Sequence, residues 1–180
     1  SDLERACLAL AEDDGAGRAW CEDQGYPGYT SYASLDDLPQ RFPEFEDLVA
    51  LLDGHVAAFA AALELDLGGR RLRLDSLWVN VLPEAGYHAA HIHPHSAISG
   101  TFYVAVPKGA SGLRLEDPRL AMMMASPPRK PKAARAIRTF VTLDPKPGTL
   151  LLWESWLRHD VPANRARGPR ISVSFNYRWG

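Results

Sequence analysis

Four of the six histidines in this 180-residue chain fall within eight positions, in the stretch His88-Ala89-Ala90-His91-Ile92-His93-Pro94-His95. Neutral imidazole is the commonest protein ligand for borderline transition metals, and an alternating His-x-His on an extended segment turns both rings to one face. His91 and His93 can therefore grip one ion. A metal that does chemistry needs a third protein ligand and open positions. His159, in Trp156-Leu157-Arg158-His159-Asp160-Val161, is the histidine of the C-terminal half that can supply it, and Arg170-Ile171-Ser172 follows eleven residues later. The spacing leaves His88 and His95 open between contact with ligands or substrate and plain exposure. His55 lies on the apolar side of a helical run and is expected in the core or at an interface.

This order of His-x-His, a distant His and Arg-x-Ser resembles the iron(II)/2-oxoglutarate-dependent oxygenases. The match extends to one family of these enzymes through Trp78 and Asn80, His91 to Pro94, Ser99-Gly100 with Tyr103, and Asp117-Pro118-Arg119. It continues through Gly148 to Leu152, His159 with Val161, and Arg170 to Asn176. The resemblance covers about residues 75 to 180. It departs from the superfamily at His93, where most members have a carboxylate, which leaves either a three-histidine site or a carboxylate recruited from elsewhere.

The resemblance implies a catalytic iron(II) held by His91, His93 and His159, with 2-oxoglutarate as cosubstrate and dioxygen as oxidant. Arg170 would grip the far carboxylate of the cosubstrate, because a guanidinium offers two parallel donors, and Ser172, two residues along a strand, points to the same side. Tyr103 and Asn80 are expected to line the same pocket. The implied reaction is hydroxylation coupled to decarboxylation of 2-oxoglutarate. Two alternatives stand beside it: a cupin-like three-histidine dioxygenase without cosubstrate, and a non-catalytic metal or oxoacid sensor. The small-molecule or peptide substrate would be met by loops 23–34 and 118–137.

The hydrophobic pattern changes near Gly68-Gly69. Before it, Leu3, Ala6, Cys7, Leu10 and Ala11 recur at helical spacing, with Asp2 as N-cap and Gly15 and Gly17 as breakers. A second helix follows Pro43, with Phe45, Leu48, Leu51, Leu52, Val56, Phe59 and Leu63 on one side and acids in its first turn. Residues 25–32 read as an irregular loop. After Gly69 the period is two, and strand-like runs occur at 72–76, 101–106, 113–116, 139–143, 149–153 and 171–177. Along the last run Arg170, Ser172, Ser174 and Asn176 form a polar file. These patterns predict a mainly β chain with N-terminal helices, a double-stranded β-helix (jelly roll, cupin-like), as one domain over 1–180. Residues 1–70 would be a helical support region and 71–180 the core.

Composition agrees: 46% hydrophobic and 23% charged residues are ordinary for a globular chain, and a chain of this length buries roughly 70% of its unfolded surface. A net charge of -2 speaks against nucleic acid or an anionic membrane as a partner. No apolar run approaches the roughly 20 residues of a bilayer span. The chain opens on acidic residues, not the basic region of a signal peptide, and Cys7 and Cys21 are expected as free thiols, so a cytoplasmic location is expected. A homodimer is left open. Trp153 and Trp156 are expected to pack near the rim, and Met122 to Met124 to form an apolar loop in a long insertion, 118–137.

Overall fold

The computed structural model describes residues 1–119 and 124–180. Helix α1 (Asp2–Asp13) is followed by α2 (Gly15–Asp23), strand β1 (Tyr29–Thr30), the short α3 (Leu38–Arg41) and α4 (Pro43–Ala62). Eight strands come next: β2 (Leu72–Leu82), β3 (His88–His91), β4 (Ile98–Ala105), β5 (Leu113–Glu116), β6 (Phe140–Leu143), β7 (Leu150–Glu154), β8 (His159–Val161) and β9 (Arg170–Trp179). All pairings are antiparallel. They build a five-stranded sheet in the order β1-β2-β9-β4-β7 and a four-stranded sheet in the order β3-β8-β5-β6, a double-stranded β-helix.

The helical region departs from the sequence pattern in several places. Ser1, not Asp2, caps α1, through a reciprocal capping box with Glu4 that answers two of the amide groups a helix start leaves bare. Gly15 and Gly17 do not end the helical run. Asp14 accepts from the Gly17 amide and starts α2 there, and a side chain at residue 17 would strike that carboxylate. The Asp14 carboxylate also accepts from Tyr29 Oη (2.9 Å) and Ser34 Oγ, so it ties the loop after α2 to the helix start. Within the stretch read as irregular, Tyr29 and Thr30 extend the five-stranded sheet by pairing with Val81 and Asn80. On α4, Phe45, Leu48, Leu52, Val56 and Ala60 are buried, but Leu51 and His55 are exposed because they lie one residue off that stripe. Cys7 and Cys21 are buried free thiols. Met124 is exposed, while Met122 and Met123 lie outside the described residues.

The five-stranded sheet has two unlike faces, and β9 shows why. Its odd-numbered residues Ile171, Val173, Phe175 and Tyr177 pack with Leu48, Leu52 and Val56 of α4 and with Leu77 and Val79 of β2 in the main apolar core. Its even-numbered residues Arg170, Ser172, Ser174 and Asn176 line a cavity on the other side. Period-two alternation thus sends the apolar set to the helices and the polar set inward. Gly100 on β4 is required here, since a Cβ would run into the Phe175 ring. A smaller cluster of Leu82, Leu113, Trp153 and Val161 closes the space between the sheets.

Charge is also divided along the chain. Residues 1–67 hold 15 of the 22 acidic side chains and 3 of the 20 basic ones, a formal charge of -12 against +10 for the remainder.

Candidate metal centre and anion cradle

The smaller sheet carries the histidines. His91 ends β3 and pairs with His159, the first residue of β8, so antiparallel register alone brings together residues 68 positions apart. His93 lies two residues past β3, fixed by its backbone amide on the Ser155 carbonyl (3.0 Å). One ring nitrogen from each of His91, His93 and His159 lies within 4.8 Å of the others. The tautomers follow from backbone contacts. His91 Nδ1 is 2.7 Å from the Ala89 carbonyl and His159 Nδ1 is 2.8 Å from the Leu157 carbonyl. A carbonyl only accepts, so both Nδ1 atoms carry the hydrogen and both Nε2 atoms keep a free lone pair, as a metal-binding imidazole requires.

His93 Nε2 faces His159 Nε2 at 3.2 Å. Two nitrogens each about 2.1 Å from a shared ion and at right angles stand about 3 Å apart, so the spacing suits a common ion. Burial, and then the neighbouring His91 and His159, push the His93 pKa down to about 3; burial likewise lowers His159 to about 4, against the Leu157 contact that raises it. Both rings are thus neutral near pH 7, the ligand form. Among the described residues no carboxylate joins the group; Asp160, the nearest acid in sequence to His159, is held by Arg114 through two hydrogen bonds of 2.9 and 2.6 Å. Of the two alternatives left by the sequence, three histidines is the arrangement observed.

The facing sheet carries the cation. Arg170, at the start of β9, is 2% exposed, donates from Nε to the Ser111 carbonyl (3.0 Å) and from one terminal nitrogen to Ser172 Oγ (3.4 Å), and lies 4.8 Å from the centre of the Tyr103 ring. Among the described residues no carboxylate pairs with it. Its guanidinium is drawn below the usual range by burial, opposed by Tyr103 and Tyr26. A buried cation without a counter-charge is costly unless an anion arrives. The Tyr103 hydroxyl and Asn80 Oδ1 are buried and without hydrogen-bond partners, although Asn80 Nδ2 donates to Ser174 Oγ (3.1 Å). Orphaned polar atoms of this kind are rare, and both residues line the same cavity as Arg170.

Both halves line one cavity of about 320 Å³. It brings together all seven residues singled out from the sequence: His91, His93, His159, Arg170, Ser172, Tyr103 and Asn80. Trp153 is buried on its wall, edge-on to His159, while Trp156 is exposed outside it. Of the two loops expected to meet substrate, 23–34 contributes Tyr26, Thr30 and Tyr32, and no described residue of 118–137 reaches the cavity. His95 is exposed. His88 lines the wall, where Tyr26 Oη and His88 Nε2 share a hydrogen bond of 2.9 Å. The Tyr26–His88 pair and Trp20, on α2, were missed in the sequence. The cluster of tyrosines in 25–32 was the available signal for the pair; Trp20 left none.

No curated protein matches this sequence. Several solved structures share the fold. The EctD protein of S. alaskensis, solved with 2-oxoglutarate and 5-hydroxyectoine, superposes with a TM-score of 0.64 at 18% identity, over 98% of this chain and 66% of that one. The non-heme alpha ketoglutarate dependent carbocyclase SnoK from nogalamycin biosynthesis gives 0.59 at 15%, over 98% and 75%. The epimerase SnoN, in complex with Fe3+, alpha ketoglutarate and nogalamycin RO, gives 0.57 at 19%, over 80% and 62%. The chain spans between 47% and 66% of the chain length in four of the solved structures it matches. At these identities the likeness bears on the fold. The sequence pattern of the family described as "Putative 2OG-Fe(II) oxygenase" matches residues 76–176, a stretch that holds every residue of the cavity discussed above apart from those of the N-terminal loop and α2. With that match over more than half of its length, the chain belongs to the 2OG-Fe(II) oxygenase family.

Proposed function

We propose that this chain is an iron(II)- and 2-oxoglutarate-dependent hydroxylase, with His91, His93 and His159 as iron ligands and Arg170 and Ser172 as the grip on the far carboxylate of 2-oxoglutarate. The observation that carries the reading is Arg170, a buried guanidinium with no counter-charge, in the same cavity as three converging imidazole nitrogens. A three-histidine centre that works without a cosubstrate would leave that cation stranded.

Iron(II) with its cosubstrate supplies the oxidising chemistry: 2-oxoglutarate and dioxygen give succinate and carbon dioxide, one oxygen atom goes into succinate and the other into a C–H bond of the substrate. The residues of the chain do the rest. His91 and His159 hold their Nε2 lone pairs inward because their Nδ1 hydrogens are fixed on the Ala89 and Leu157 carbonyls. Arg170 and Ser172 offer donors to a carboxylate, and the Tyr103 hydroxyl has a hydrogen free to add to them. Trp78, Trp153 and Val161 exclude water from the same space.

The test is iron-dependent binding and decarboxylation of labelled 2-oxoglutarate. Replacing any one of the three histidines by alanine should abolish stoichiometric iron binding in a folded protein. His93→Asp should keep it, since a carboxylate is the commoner ligand at that place. Wild-type protein that holds iron yet neither binds nor turns over 2-oxoglutarate would overturn the reading.

A further inference from the structure

The cavity wall identifies the kind of group that can enter beside the cosubstrate. Apart from the histidines, Arg170 is the single Lys, Arg, Asp or Glu side chain among the described residues on that wall. In the reading above it is engaged by the cosubstrate, so no residue remains to pair with a charge on the substrate. An unpaired charge is expensive to desolvate. The inside of the cavity is already positive through Arg170, which disfavours a second cation, and no further Lys or Arg among the described residues on the wall is left to pair with an anion.

Flat, apolar surface faces the remaining space. Tyr32, 59% exposed, stands edge-on to Trp78 with ring centres 5.1 Å apart, and Trp78 in turn lies 5.9 Å from His93. Trp20 and Ile92 also expose apolar surface at this cavity. Large apolar side chains left in water and grouped around one opening mark a contact surface.

We infer that the substrate presents to this cavity an uncharged, flat apolar group and that it enters along Tyr32 and Trp78. The inference rests on the cosubstrate reading for Arg170. Because about 320 Å³ must also hold the cosubstrate, and pockets for whole drug-sized ligands start near about 300 Å³, only one end of a larger substrate fits inside.

The experiment loads the protein with manganese(II) and saturating 2-oxoglutarate and follows paramagnetic broadening of four small probes: acetophenone, ethylbenzene, phenylacetate and benzylammonium. Acetophenone and ethylbenzene should each bind at least roughly tenfold more tightly than either charged probe. Tyr32→Ala, at an exposed position that folding does not need, should weaken both. Equal or tighter binding of a charged probe overturns the inference, as does a Tyr32→Ala variant that binds all four like wild type. Binding of 2-oxoglutarate is measured in the same samples. If it holds while the probes fail, this inference alone falls; if 2-oxoglutarate itself does not bind, the proposed function falls first.

Discussion

The two faces of the five-stranded sheet obey different rules, although the same strands make both. Toward the helices, Ile171, Val173, Phe175 and Tyr177 are buried in the main apolar core. Toward the cavity, Arg170, Ser172, Ser174 and Asn176 form a polar surface with orphaned groups close by. One face is optimised for stability. The other holds groups in unfavourable surroundings that only a ligand can relieve, the usual signature of a site selected for function over stability.

Removing the partner of the first face should have the largest effect. Without residues 1–74 the apolar side of β2, β9 and β4 is bare, and we expect insoluble protein; a soluble truncation that still binds metal would show that the helices are dispensable. A point change on the same face, Phe175→Ala, should cost about 3 to 5 kcal/mol in urea unfolding, the usual range for emptying a buried aromatic position. Arg170→Ala, on the opposite face, should do the reverse. It should weaken 2-oxoglutarate binding by about a hundredfold or more, with no loss of thermal stability, because a buried charge is removed along with its burden. Arg170→Lys should recover the binding only partly, since an ammonium cannot offer two parallel donors. A strong loss of stability in Arg170→Ala would blur the contrast between the faces.

A pH titration sharpens it further. The folded-state pKa of His93 is about 3 and that of His159 about 4, both below the ordinary 6.5 mainly through burial, so between these values the unfolded chain binds more protons than the folded one. Stability of the metal-free protein should therefore be intact above about pH 6.5 and decline as the pH falls from there toward about 4. His93→Gln should flatten that decline in urea midpoints measured across the window. The smallest effect is expected from Ser174→Ala, which removes a hydroxyl bonded to Asn80 and Thr101 and should cost about 1 kcal/mol.

Much of this was legible in the sequence because it depends on spacing. Period two along 170–177 assigned the faces of β9, and His-x-His with a distal His and Arg-x-Ser singled out residues that the fold brings to one cavity. What was hidden depends on contacts between distant segments. Nothing in the composition of residues 25–32 says that Tyr29 and Thr30 will find β2, because that two-residue pairing runs through the backbone and no side-chain pattern announces it. His55 was expected in the core or at an interface since it sits among apolar neighbours in sequence, but it is exposed, because the stripe that reaches the sheet is narrower than the apolar run. Whether His93 works beside a recruited carboxylate could not be read either; Asp160 is adjacent in sequence to His159, and only the structure reveals Arg114 holding it away.

The division of labour between the sheets has a mechanical consequence. His91 and His159 belong to the smaller sheet, with His93 just beyond it, and Arg170, Ser172 and Tyr103 belong to the larger. Any molecule gripped at one end by the ion and at the other by the guanidinium is a rivet through the seam between two layers. At a concentration about a hundred times its dissociation constant such a rivet adds about 2.7 kcal/mol to the folded state. Amide exchange should slow along β3, β8 and β9 together, on both sides of the seam, when iron and 2-oxoglutarate are present, so the cosubstrate also acts as a part of the framework.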